Sequence, residues 1–250
     1  MLRVLARPRL IVLLIITLAI SGTCVRLGIW QLHRLHEVRA YNSSVLAGLS
    51  RPPTPLDELI PAAGPSPDSA TLAYRLVVAT GHYDAAHEVV LYGRMMNDVP
   101  GNHLLTPLVF PDGRAVMVDR GWVPFEMSKP PVTGAAPPFG SVEVTGVLEP
   151  TDSPGSGPKT GALALISTVD LPRLAKQLPY PLLAVYLRLR SQAPVQSGDL
   201  PVPAPLPQLT EGPHQSYMFQ WFAFAAVFLG GYGVVVWREG RDRRAAPTQA

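Results

Sequence analysis

The chain has 250 residues with a formal net charge of +3, 47% hydrophobic and only 16% charged residues, 28 prolines and one cysteine. Ordinary soluble domains carry about 25% charged residues and about 5% proline, so a plain soluble globule is excluded. A single cysteine excludes a disulfide-stapled fold, and with no basic stripe outside the termini a nucleic-acid partner is excluded too.

In chain order, residues 1–9 are a short basic N-terminus carrying Arg3, Arg7 and Arg9. From Leu10 to Val25 there is no charge, and the apolar character continues past Arg26 to Leu32. The run predicts a transmembrane helix over residues 10–32, with the Arg26 guanidinium extending to the interface. A cleaved signal peptide competes with this reading. It requires small residues in an A-x-A pattern, which Thr23-Cys24-Val25-Arg26 does not offer, and Cys24 lacks the flanks of a lipoprotein cysteine. Helical spacing over Arg34–Arg39 then carries the helix a turn or two further, and six prolines between Arg51 and Ser69 predict an extended connector at 51–69.

From Tyr74 the texture changes to β-branched runs cut by Gly and Pro: Arg75–Thr80, Glu88–Tyr92, Leu104–Phe110, Ala115–Asp119, Val142–Leu148, Ala162–Ser167 and Leu183–Leu189. Seven short strands favour a mainly-β domain, barrel or sandwich-like, over a βαβ fold. Phe110-Pro111-Asp112-Gly113-Arg114 is the clearest hairpin turn. Thr168 to Leu178 is the one helix candidate, starting near Asp170 with Pro172 in its first turn. Residues 192–213 form a second proline-rich connector, expected to be an extended arm.

Ser216 to Trp237 has 22 residues without a charged group, aromatic at both borders, and predicts a second transmembrane helix over 216–237. A basic tail, 238–250, follows with Arg238, Arg241, Arg243 and Arg244. Basic flanks at both ends put both termini in the cytoplasm and residues 33–215 outside it. The fold class is thus an α+β membrane protein, in which an N- and C-terminal helix hairpin flanks an extracytoplasmic β-rich domain.

Catalytic signatures are missing: no G-x-S-x-G elbow, no phosphate-binding glycine loop, no H-E-x-x-H. An enzyme is not expected. Among the histidines, His82, His87 and His103 have no zinc-site spacing and read as ordinary loop residues. His33 and His36 read as interfacial. His214 stands just ahead of the second helix. If that helix begins at Pro213, then His214, Met218, Trp221 and Ala225 share one face. A neutral imidazole above a thioether and an aromatic ring suits a haem iron, while the bland alternative is an interfacial His at a helix start. Trp30, Gln31 and Arg34 reach the same interface if the helices pair, where an Arg meets a propionate or simply snorkels.

Taken together, Gly28-Ile29-Trp30-Gln31-Leu32-His33-Arg34, Gly81-His82-Tyr83-Asp84, Thr106-Pro107-Leu108 with Asp112-Gly113, Val118-Asp119-Arg120-Gly121-Trp122-Val123-Pro124, and His214 with Tyr217, Gln220 and Trp221 resemble the SURF1 (Shy1) family of cytochrome c oxidase assembly factors. The chain departs from the family pattern at Gly212-Pro213, where an Asn is common, and at Met218, where a small residue is usual. The resemblance implies an assembly factor for aa3-type cytochrome c oxidase that binds haem a and aids its insertion. Its partners would be the oxidase catalytic subunit, the haem a synthesis machinery and membrane lipid. His214 is implied as ligand to the haem iron, with Tyr217, Met218, Trp221, Trp30 and Arg34 around the haem. The rival reading is a scaffold without haem that holds an oxidase subunit or a respiratory supercomplex. The Arg120-Gly121-Trp122 segment reads as a strand end with a buried Trp rather than a docking surface. The resemblance implies a bacterial plasma membrane or a mitochondrial inner membrane, and the excess of arginine over lysine points to a GC-rich bacterium and so to the plasma membrane.

Overall fold

A computed structural model describes residues 7–61, 69–151, 163–205 and 209–245. They form two compact units, one holding the long N-terminal helix as far as Ser43 together with the C-terminal helix, the other starting at Ser44 and holding the sheet.

The first helix, α1 (Pro8–Leu49), has 42 residues, about 63 Å at 1.5 Å per residue. It continues about five turns beyond Leu32 rather than the expected one or two. The cause is local: from His33 to Ala47 there is neither Pro nor Gly, Gly48 falls in the last turn, and Pro52 disfavours helix for the residue before it. The last helix, α5 (His214–Ala245), begins two residues earlier than expected and runs past Trp237 into the arginine-rich tail. Both are long and apolar enough to cross a membrane.

The helices meet along a narrow stripe. Between Thr17 and Leu35 the buried positions on α1 are Thr17, Ser21, Cys24, Gly28, Gln31 and Leu35, spaced alternately by four and three, the rhythm of a two-helix seam. Small residues at its centre let the backbones approach. A Cβ on Gly28 would lie 2.8 Å from the Phe222 ring, and the Ser21 hydroxyl donates to the Ala225 carbonyl at 3.4 Å. The Tyr232 hydroxyl donates to the Leu10 carbonyl, Arg7 pairs with Glu239, and Arg39 grips Glu211 through two bonds of 2.9 and 2.8 Å. Residue numbers rise on α1 as they fall on α5, so the pair is the antiparallel hairpin that the sequence predicts.

The second unit contains β1 (Thr54–Pro55), α2 (Leu56–Leu59), α3 (Ser69–Leu72), β2 (Leu76–Tyr83), β3 (Val89–Met96), β4 (Val99–Val109), β5 (Ala115–Pro124), β6 (Ser141–Pro150), β7 (Leu165–Ile166), α4 (Leu171–Leu174) and β8 (Leu182–Ala193). The strands make one sheet in the order β1-β2-β6-β8-β5-β4-β3-β7, and a further pairing of β2 with β4 closes a ring of five strands. That closure rests on two residue pairs, His82 with Val109 and Tyr83 with Leu108. β5 is buried along nearly its whole length because both of its faces are covered. On one side Val116 and Val118 join Leu56, Ile60 and Leu72; on the other Met117 joins Leu171 and Leu174 of α4.

All seven expected strands are present, with Ala162 itself outside the described residues. Two proline-rich segments are more ordered than expected. Within 51–69, Thr54 and Pro55 pair in parallel with Val77 and Val78, and α2 follows at once. Proline is tolerated there because it sits on a sheet edge. Within 192–213, β8 continues to Ala193, and Val202 exchanges backbone bonds with Trp122 at 2.7 and 2.8 Å. Residues 62–68 and 206–208 of these segments lie outside the described residues. The turn at Gly113 (φ +84°) is as predicted, whereas a tighter one escapes prediction: Asn97 (φ +50°) and Asp98 (φ +63°) link Met96 directly to Val99. The α4 helix is capped as its sequence suggests, the Asp170 carboxylate accepting from the Arg173 N–H.

Candidate functional site

Pro213 opens the first turn of α5, and its carbonyl accepts the Tyr217 N–H at 3.1 Å. His214 is the first residue of the helix and half-buried. Its Nδ1 lies 2.8 Å from Oε1 of Gln31, which is only 9% exposed within the α1 seam. An amide oxygen can only accept, so Nδ1 is the donor, and in the neutral ring Nε2 keeps its lone pair. Among the described residues nothing hydrogen-bonds to Nε2. An imidazole with one nitrogen held by an oxygen acceptor and the other free is the usual arrangement of a metal-binding histidine.

Along the surface of the hairpin lie two shallow hollows that share lining residues. One, of about 460 Å³, is walled by Thr23, Cys24 and Leu27 of α1 and by Trp221, Phe224 and Phe228 of α5. The other, of about 370 Å³, is walled by Thr23, Arg26, Leu27 and Trp30, so Thr23 and Leu27 belong to both. Trp221 meets Phe224 edge to face at 6.0 Å. The hairpin thus offers an imidazole at the start of α5 and, further along the two helices, a trough of apolar and aromatic side chains.

Of the residues expected around a ligand, the structure brings Trp221 to the first hollow and Trp30, 57% exposed, to the second. Met218 is half-buried one turn from His214, and Tyr217 is exposed. Arg34 is bonded elsewhere: its Nη1 donates to Glu37 at 2.9 Å, and it is Arg26 that lines the trough. Sequence reasoning noted Gln31 at the interface but gave it no role. The signal was there, since Gln31 is a polar residue at a seam position in the run Cys24, Gly28, Gln31, Leu35.

In the second unit the Arg120-Gly121-Trp122 segment is interior. Arg120 is 0% exposed; its Nη1 donates to Glu88 Oε2 at 3.2 Å, and its guanidinium lies over the Tyr83 ring at 5.5 Å. Glu88 also accepts from the Thr106 hydroxyl at 3.0 Å and from the Val132 N–H at 2.8 Å. Burial lowers the Arg120 pKa, and the charge of Glu88 works against it. Burial likewise raises the Tyr83 pKa well above the usual phenol value. Gly121 has φ +125°, and a Cβ there would lie 2.1 Å from the Val202 carbonyl oxygen. Trp122 packs over Gly101, whose added Cβ would meet the indole nitrogen. This is the packing arrangement favoured from the sequence.

The histidines of this unit go separate ways. His103 Nδ1 pairs with Asp119 at 2.8 Å, His87 Nδ1 with Asp84 at 2.7 Å, and His82 is exposed. Asp84 also accepts from the Tyr180 hydroxyl at 2.8 Å and from the Ala86 N–H. Burial works to raise the Asp84 pKa, but the Tyr180, His87 and Ala86 donors outweigh it and hold the carboxyl below its ordinary value. A depressed folded pKa gives stability that is present above the unfolded value of about 4 and is lost as pH falls through the folded one. Asp84→Asn is therefore expected to lower the urea midpoint at pH 7 and to make little difference at pH 2, as a paired urea titration at the two pH values will read.

Comparison with known proteins covers both units. A family model described as the SURF1 family matches residues 18–226. An uncharacterised SURF1-like protein of Mycobacterium bovis is 28% identical over 249 residues, covering 96% of this chain and 88% of its own. A SURF1-like protein of Rickettsia bellii is 29% identical, covering 81% of each chain. Surfeit locus protein 1 of the mouse is 26% identical over 151 residues, 54% of this chain and 47% of its own.

Proposed function

Since the chain belongs to the SURF1 family, we propose that it is an assembly factor for an aa3-type cytochrome c oxidase, one that binds haem a as cargo at His214 and helps pass it to the catalytic subunit. The observation that carries the haem part of this reading is His214 itself: Nδ1 is held by Gln31, Nε2 has no hydrogen-bond partner among the described residues, and the residue opens a helix fit to span a membrane. The trough supports the same reading. Haem a has an isoprenoid tail that suits the wall of Leu27, Phe224 and Phe228, and two propionates that suit a guanidinium such as that of Arg26. Met218, Tyr217, Trp221, Trp30 and Arg34 are the further residues within reach of a ligand of that size.

The carrier needs no catalysis, because transfer requires only that the oxidase site bind haem a more tightly. The reading sets the protein in a bacterial plasma membrane with both termini cytoplasmic and the β-rich domain outside. Arg-rich flanks at Arg7–Arg9 and Arg238–Arg244 support that orientation. The oxidase catalytic subunit is the direct partner, and the haem a synthesis machinery is the source of the cargo.

The test is an absorption spectrum of the detergent-purified protein after co-expression with a haem a synthesis pathway. A haem a band is expected. A folded protein that captures the oxidase catalytic subunit yet shows no band overturns the haem reading and leaves a scaffold.

A further inference from the structure

We propose that Gln31 sets the ligand character of His214: it fixes Nε2 as the iron-binding nitrogen and, as a neutral acceptor, keeps the imidazole a moderate ligand able to let its cargo go. The proposal rests on the reading of His214 as a haem ligand.

Three observations carry it. The Nδ1 to Oε1 distance of 2.8 Å is that of a well-formed hydrogen bond. Gln31 is buried in the seam, one heptad step from Cys24 and one turn from Leu35, so its side chain is held by the packing of two helices. His214 lies half-buried on the first turn of α5, and its bond to Gln31 is the one hydrogen bond its ring makes among the described residues. The hydrogen bond that orients the ring therefore comes from α1.

The chemical identity of the acceptor matters as much as its presence. A buried amide on an apolar helix face is costly unless bonded, so the seam favours keeping the bond intact. With the Nδ1 proton fixed, the lone pair stays on Nε2. Without an acceptor the neutral ring samples both tautomers, and in one of them Nε2 carries the proton and cannot bind a metal. With a carboxylate in place of the amide, the ring is pulled towards imidazolate and becomes a stronger ligand. An amide lies between these two extremes, which suits a site that must both hold and release.

A purely structural role, a hydrogen bond joining two helices, makes different predictions, and Gln31→Leu and Gln31→Glu tell the two apart. Each full-length protein is placed in lipid nanodiscs at pH 8. The tautomer of His214 is read by 15N NMR without haem, with the signal assigned by its loss in His214→Ala. Haem a is then loaded, and its transfer to excess apomyoglobin is followed by absorbance. Wild type is expected to show the Nδ1–H tautomer. Gln31→Leu should lose that preference and release haem a about 10–100-fold more readily, the range seen when an outer partner of a metal-binding histidine is removed. Gln31→Glu should keep the tautomer and release haem a more slowly than wild type.

Opposite shifts for the two variants are the signature of ligand tuning. Shifts in the same direction, or none, overturn the proposal while leaving haem binding at His214 intact. A wild type that shows the Nδ1–H tautomer but takes up no haem a overturns the functional reading, and this proposal falls with it.

Discussion

Exchanging Arg120 for methionine is expected to destabilise the β-rich unit by about 3–5 kcal/mol, the cost of leaving one partner of a buried ion pair uncompensated. Arg120 is wholly enclosed, and Glu88 beside it is nearly so. Removing the guanidinium leaves the Glu88 carboxylate with the Thr106 hydroxyl and the Val132 N–H but no opposing charge. For a unit of this size the loss corresponds to a drop of roughly 6–20 °C in melting temperature. Trp122 is the one tryptophan in this unit and adjoins the mutated residue, so its fluorescence reports the transition. The double variant with Glu88→Leu should recover most of the loss, because an empty pair is tolerated better than half a pair. A single variant that melts with the wild type would mean that the buried pair adds nothing to the stability of the unit.

His214→Ala is expected to reduce haem a retention to background while leaving capture of the oxidase catalytic subunit unchanged. The variant removes the imidazole whose Nδ1 is held by Gln31 and whose Nε2 has no hydrogen-bond partner among the described residues. It also removes one interhelical hydrogen bond, worth about 0.6 kcal/mol in a membrane. The remaining clasps, Arg39 to Glu211, Ser21 to Ala225 and Tyr232 to Leu10, are untouched, so the hairpin should persist. The measurement is the ratio of haem to protein by pyridine haemochromogen at matched yield, with the amount of co-purified oxidase subunit read from the same sample. An unchanged haem ratio would put the ligand at another residue.

What was legible in the sequence was whatever depends on a few neighbouring residues. Asp170 before Leu171-Pro172 announces a capped helix, Asp112-Gly113 announces a turn, and alternating β-branched runs announce strands. Pairings between distant segments carry no local mark. Thr54-Pro55 reads as loop until Val77 and Val78 supply a partner, and Val202, set among alternating prolines, reads as an arm until it meets Trp122. The Asn97-Asp98 turn was missed because the flanking residues, from Gly93 to Gly101, are mostly exposed and hold together through backbone bonds rather than an apolar pattern. At the candidate site His214 stood out by position, whereas Gln31 becomes meaningful only when α1 and α5 are laid side by side.

The place of β8 in the sheet has a consequence for how the chain is made. β8 lies between β5 and β6, in parallel with the first and antiparallel to the second, yet it is the last strand in sequence. Until Leu182–Ala193 leaves the ribosome, β5 and β6 each present an open edge to any other extended chain. The ring can close only after synthesis of the unit is nearly complete, and the long sequence separation between β5 and β8 makes that closure slow. The nascent protein therefore passes through an interval in which two strand edges of its sheet stay open to other chains.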